Sequence, residues 1–217
     1  MREIVLDIET TGLDPLQDRI IEIGCLELFD KIPTGEIFHV YLNPQQILSA
    51  DNIKIHGITN EFLQDKESFP RIVYNLLDFI GTDPIVAHNA TFDISFINQE
   101  LERMFFPPLK NQVIDTLFMA RNFFTTNNSL DGLCRRYNIN IEHRSQHGAL
   151  KDAELLSKVY YFLSHEDASN NDLYSTLIQE YQETQDNFLF QNRPAIFLTE
   201  EEKQHHEQMM CKLGADQ

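Results

Sequence analysis

Residues Ile4-Val5-Leu6-Asp7-Ile8-Glu9-Thr10 set two acids into an aliphatic, β-branched run. Such a run reads as a strand of a packed sheet. Residues two apart on a strand point to the same face, so Asp7 and Glu9 emerge side by side. Two adjacent carboxylates repel, and burying one without a partner is costly. Two readings are open. The pair holds a hard divalent cation such as Mg²⁺ or Mn²⁺, which takes oxygen ligands, or the run is an edge strand whose acids face water.

The bulk numbers narrow the class. A chain of 217 residues with 42% apolar residues suits one domain with a proper core and an appendage. Cys25, Cys134 and Cys211 lie far apart, without metal-type spacing, and fit reduced thiols in a cytosol. Neither a signal peptide nor a membrane-spanning run is expected, and the chain reads as a cytoplasmic protein without a membrane partner. The formal net charge of -17 argues against tight, autonomous grip on nucleic acid by phosphate neutralisation. It leaves open chemistry on nucleic acid delivered by a partner. From Ser164 onward, 11 acidic residues face 3 basic ones.

After the first strand, Arg19 to Leu28 and Glu36 to Leu42 read as strands, with Pro33-Thr34-Gly35 as the turn between them, giving an antiparallel meander. Helices are expected around Asn60 to Gln64 and over Arg71 to Ile80. Ile85 to His88 reads as a buried strand, followed by a helix from Phe92 to Met104 that stops before Pro107-Pro108. A short strand at Val113 to Asp115, a helix near Leu117 to Phe124 and one capped by Ser129 come next. The last strong helix runs from Ala149 to Leu163, with Ala153, Leu156, Val159, Tyr160 and Leu163 on one stripe. A meander followed by alternating helix and strand predicts an α/β sandwich around a mixed sheet. Residues 1–163 form the domain, 164–184 an acidic linker with an amphipathic helix, and 185–217 a tail. The apolar pieces in that tail suit docking on a partner, or folding back on the chain's own domain.

Further polar groups fall at structural joints. Asp93 opens a helix, where an acid can simply favour the helix dipole. His147 and Asp152 are five residues apart and would not share a helix face. With His147 in the preceding loop and Asp152 in the first turn, both converge on one point, and Gly148 suits that lead-in. A histidine beside a carboxylate–metal cluster can take a proton from water near neutral pH.

Taken together, Asp7-Ile8-Glu9-Thr10-Thr11-Gly12, His88-Asn89-Ala90-Thr91-Phe92-Asp93 and His147-Gly148-Ala149-Leu150-Lys151-Asp152 resemble the three motifs of the DEDDh-type 3′→5′ exonucleases of the ribonuclease H-like superfamily. Ile55-His56-Gly57-Ile58 is a further typical run. Ile20-Ile21-Glu22-Ile23-Gly24, Phe38 to Leu42 and Asn128 to Cys134 resemble the proofreading subunits of bacterial replicative polymerases. The resemblance implies a mixed five-stranded sheet flanked by helices, with a C-terminal partner-binding tail. It implies that Asp7, Glu9 and Asp152 bind one Mg²⁺ or Mn²⁺, that Asp7 bridges to a second ion held by Asp93 through water, and that His147 is the general base. Thr10, Thr11, Gly12, Leu13, His56, Asn89 and Phe92 would cradle the terminal nucleotide of a DNA 3′ end. Phe197-Leu198-Thr199-Glu200-Glu201-Glu202, with His206-Glu207 beyond it, resembles a segment that docks on the polymerase catalytic (α) subunit. Gln185, Phe188, Leu189 and Phe190 resemble a sliding-clamp peptide, with Phe188 where an aliphatic residue or Met is commoner. A small third core subunit is a further implied partner.

Two other readings compete. An RNA-trimming exonuclease of the same type would favour a basic patch, for which Arg135, Arg136, Arg144 and Lys151 are the local candidates. A catalytically dispensable structural subunit would not need all five catalytic side chains.

Overall fold

The computed structural model describes residues 1–141 and 147–166. Strands β1 (Arg2–Thr10), β2 (Ile20–Phe29) and β3 (Ile32–Tyr41) form the meander, followed by helices α1 (Ala50–His56), α2 (Asn60–Leu63) and α3 (Phe69–Ile80). Then come β4 (Ile85–Ala87), α4 (Thr91–Arg103), β5 (Val113–Asp115), α5 (Thr116–Phe123), α6 (Leu130–Arg136) and α7 (Ala149–Leu163). The five strands lie in the order β3-β2-β1-β4-β5. β1 pairs antiparallel with β2 and parallel with β4, and β4 runs parallel with β5. The mixed sheet is thus the expected one.

Alternation along β1 divides the core. Ile4, Leu6 and Ile8 pack with Ile72, Val73, Leu76 and Ile80 of α3 and with Phe96, Ile97 and Leu101 of α4. Val5 faces the other side, with Ala153, Leu156, Val159 and Leu163 of α7. Each fully buried aliphatic side chain contributes about 1.5–3 kcal/mol. Glu3, Asp7 and Glu9 share the parity of Val5.

Helix α7 is fixed at both ends. Near its C-terminus, the Tyr160 hydroxyl donates to buried Glu3 at 2.6 Å, and Lys31 Nζ reaches that hydroxyl at 2.9 Å. At its N-terminus, the backbone of Ala149 and Leu150 presses onto Gly24 of β2. A Cβ there would lie 2.5 Å from Leu150 Cα.

Three expectations are corrected. β1 is internal, so the edge-strand reading of Asp7 and Glu9 does not hold. The β2–β3 turn is at Asp30-Lys31, whose φ angles of 49° and 67° both lie in the left-handed region, as a two-residue hairpin requires. Pro33 instead sits inside β3, tolerated because β3 is an edge strand and the register shifts between Leu26 and Leu28. Helix α1 is an addition to the expected elements. Ser49 caps it by accepting from Asn52 N–H, but only His56 is buried, so it has no apolar stripe to read.

The linker from residue 167 onward and the tail, with Gln185, Phe188, Leu189, Phe190 and Phe197, lie outside the described residues, as does Arg144. Arg135 and Arg136 are engaged locally: Arg135 stands 3.9 Å from Asp131, and Arg136 lies 3.9 Å over the Phe124 ring.

Candidate active site

The site opens where β1 and β4 end. Pairing of β1 with β4 covers Ile4↔Ile85 and Val5↔Val86 and then stops. Beyond it, the Ile8 N–H is taken up by the carboxylate of Asp93, which also accepts from its own backbone N–H at the start of α4. One side chain therefore closes the helix N-terminus and the free edge of β1. That bond anchors Asp93 close to Asp7, whose ionisation it opposes.

Asp152 arrives from the opposite layer. It is buried in the first turn of α7, and Gly24, the partner of Asp7 in the β1–β2 register, lets that turn approach the sheet beside Asp7. Asp152 Oδ2 lies 3.2 Å from Nδ1 of His147, which stands in the loop before the helix and is exposed. The His147 N–H donates to Ile55 O at 3.3 Å. Ligand atoms of Glu9, His147 and Asp152 all fall within 4.8 Å of one another. By distance alone, His147 is as able to bind a cation as to act as a base.

The electrostatics fit a divalent cation. Burial raises the Asp7 carboxyl well above its usual range, and Asp93, Asp152, Glu9 and Glu22 push it in the same direction. Asp93 is pushed up to about 8, chiefly by burial and against its two backbone hydrogen bonds. Converging acids that resist ionisation together become a stable anionic set once a cation lies among them. An all-oxygen set with one adjoining imidazole is chemistry that Mg²⁺ or Mn²⁺ accepts.

The expected nucleotide-binding residues come from the end of β1 and the loop after it, the end of α1, and the turn from β4 into α4. Thr10 and Thr11 are buried, while Leu13 is 84% exposed. Thr10 Oγ1 donates to Gly12 O at 2.6 Å, and the Asp18 carboxylate fills the space a Gly12 side chain would need. Asn89 is exposed in the left-handed region at φ 62°, its N–H donating to Asp115 Oδ1 at 3.1 Å. Phe92 is half-buried against Phe96, with centroids 4.8 Å apart. His56 is buried rather than at the surface. Its Nδ1 accepts from Ile58 N–H at 3.0 Å, and its charged form is disfavoured by burial and by His147.

Residue-by-residue reading missed two contributors. Gly24 makes room for α7, and its only trace was a glycine interrupting an aliphatic strand. Glu22 lies opposite Glu9 in the register, buried, with His39 Nε2 at 2.7 Å from Oε1. Its signal was the same acid-in-a-strand pattern that exposed Asp7.

A carboxylate cluster at the open ends of parallel strands in a mixed sheet, with a histidine beside it, suits the metal-dependent chemistry of a nuclease. The family model described as Exonuclease matches residues 4–160. The DNA polymerase III subunit epsilon of Rickettsia prowazekii (strain Madrid E) is 48% identical over 170 residues, covering 76% of this chain and 74% of that one. The subunit of the same name from Salmonella typhimurium is 43% identical over 169 residues, with 73% and 70% covered. The nuclease domain of 3′hExo, a DEDDh family member, shares the fold at a TM-score of 0.65 and 19% identity, over 77% of this chain and 92% of that one. The chain belongs to the exonuclease family and, within it, to the DNA polymerase III epsilon subunits.

Proposed function

We propose that this chain removes mismatched nucleotides from DNA 3′ ends, one at a time, as the proofreading subunit of the replicative DNA polymerase III. It is a 3′→5′ exonuclease that releases nucleoside 5′-monophosphates. The observation that carries this reading is the convergence of Glu9, His147 and Asp152 within 4.8 Å, beside Asp7 and Asp93.

Asp7, Glu9, Asp93 and Asp152 would hold the divalent ions. Two such ions, when bound, supply Lewis-acid stabilisation of the attacking and leaving oxygens of an in-line displacement. His147 takes the proton from the attacking water. Asp152, through Oδ2, orients the imidazole at Nδ1 and leaves Nε2 as the proton acceptor. Thr10 to Leu13, with His56, Asn89 and Phe92, seat the terminal nucleotide so that its last phosphodiester meets the carboxylates. Frayed, mismatched ends cost less to unpair, so selectivity needs little base readout.

The -17 charge fits an enzyme that does not grip DNA alone. Tethering to the polymerase catalytic (α) subunit through the tail around Phe197 would raise its effective concentration at the primer end. Contact of Gln185 to Phe190 with the sliding clamp, a small third core subunit and a place in the bacterial cytosol belong to the same proposal. Among the described residues, no helix is long and apolar enough to cross a membrane.

The test is monophosphate release from a mismatched primer terminus, with and without Mg²⁺, beside RNA of the same sequence. Mg²⁺-dependent release that is faster on DNA is expected. Faster RNA trimming overturns the proofreading assignment, and no release at all overturns the catalytic one.

A further inference from the structure

The segment joining β1 to β2 has no apolar anchor between Thr11 and Ile20: Leu13 and Leu16 are 84% and 71% exposed, and no residue from Gly12 to Arg19 is buried. Polar contacts must therefore set its position. Inside the loop, Asp18 accepts from Thr11 Oγ1 at 3.1 Å and from Asp14 N–H at 2.9 Å. Outside it, Gln46 Nε2 and Asn52 Nδ2 donate to Thr11 Oγ1 and Thr11 O at the loop's start, and the contacts of its second half lead chiefly to α4. Arg103 Nη2 donates to three loop carbonyls, Pro15 O at 2.8 Å, Leu16 O at 3.0 Å and Asp18 O at 3.3 Å. Arg19, at the loop's end, forks onto Glu100 at 2.6 and 2.8 Å.

Glu100 joins these two arginines. It is 2% exposed, and Arg103 Nη1 stands 3.1 Å from the oxygen that receives Arg19 Nε. An acid buried that deeply is costly unless paired, and a bidentate guanidinium is the strongest partner a side chain offers. Glu100 lies seven residues beyond Asp93 on α4, about two turns along the same stripe. One face of one helix thus holds a metal-cluster acid at its start and the root of the nucleotide loop further down.

We propose that Glu100, with Arg103 and Arg19, positions the 3′-terminal nucleotide by locking the Thr11–Arg19 loop to the helix that carries Asp93. This rests on the reading that Thr10 to Leu13 seat that nucleotide. Floor and carboxylates then move as one body, and the terminal nucleotide finds its seat already formed without any contact between Glu100 and substrate.

Steady-state kinetics on a single-stranded DNA oligonucleotide with Mg²⁺ test it, using the full chain. Arg103→Met removes the donors to the loop carbonyls, and Glu100→Gln keeps volume while removing the charge. Each is expected to raise KM about tenfold with kcat within about threefold of the parent. Arg103→Lys, which still reaches a carbonyl, is expected to recover part of the loss, and calorimetric Mg²⁺ titration is expected to be unchanged. A lowered Tm with KM unchanged below the transition would make the cluster a brace only and overturn the proposal. Loss of Mg²⁺ binding in both variants would do the same, since α4 itself would then have moved. Leu13→Ala separates the two levels. If it leaves KM unchanged, the loop is not the nucleotide floor; if it raises KM while Arg103→Met does not, the lock alone fails.

Discussion

Asp7 and Gly24 face each other across the β1–β2 register, and the missing side chain at Gly24 is filled by the backbone of Ala149 and Leu150. The start of α7 is thereby pressed onto the sheet beside the first of the clustered acids. Asp152 reaches the site because its helix has nothing to climb over. Gly24→Ala is expected to push the helix start outward, costing about 1–3 kcal/mol from overpacking. It is also expected to lower kcat by about a hundredfold through misplacement of Asp152 and His147. Chemical denaturation and single-turnover rates measure the two effects separately. Full activity in a folded variant would show that this close approach is dispensable.

Removing one of the crowded acids should separate stability from activity. Asp7 carries the strain of burial together with Asp93, Asp152, Glu9 and Glu22. In EDTA at pH 8, Asp7→Asn is expected to stabilise the protein by about 1 kcal/mol or more, because it removes the cost of burying, among other acids, a carboxyl that ionises freely in the unfolded chain. The same variant should show no Mg²⁺-induced rise in Tm and no turnover. A variant that is less stable in EDTA and still stabilised by Mg²⁺ would remove Asp7 from the ligand set.

His147 is within ligand distance of Glu9 and Asp152, so its role needs a discriminating measurement. As the base, His147→Ala should lose about 10²–10⁴ in kcat and keep its calorimetric Mg²⁺ titration. Loss of the titration together with activity would make His147 a ligand.

Away from the carboxylates, His88 follows β4 directly with its Nδ1 2.9 Å from Thr116 Oγ1, and burial lowers its pKa from the usual 6.5 despite the pull of Asp115. The folded state therefore binds the proton less readily than the unfolded chain. The stability associated with neutral His88 is complete above pH 6.5 and is lost as pH falls below it. Denaturant midpoints between pH 7.5 and 5 should fall more steeply for the parent than for His88→Gln. Parallel slopes would discount this histidine.

The amino-acid sequence by itself determined the chemistry and most of the elements. Acids two apart in an aliphatic strand must share a face, so Asp7 and Glu9 were legible as a pair from local geometry. The α7 stripe was legible at its full span, because fifteen residues with a periodic apolar face leave little alternative. Short elements without such a face were not: α1 buries only His56, and the Asp30-Lys31 hairpin lacks the glycine that usually marks positive φ. Only the tertiary structure decided that β1 is internal and that α7 lies against Gly24. It alone brought Glu22 opposite Glu9 and showed Asp93 bonding the Ile8 N–H left beyond β4. Those relationships join residues 13 to 126 positions apart in the chain, and no local periodicity encodes which distant backbone will fill the space beside a glycine.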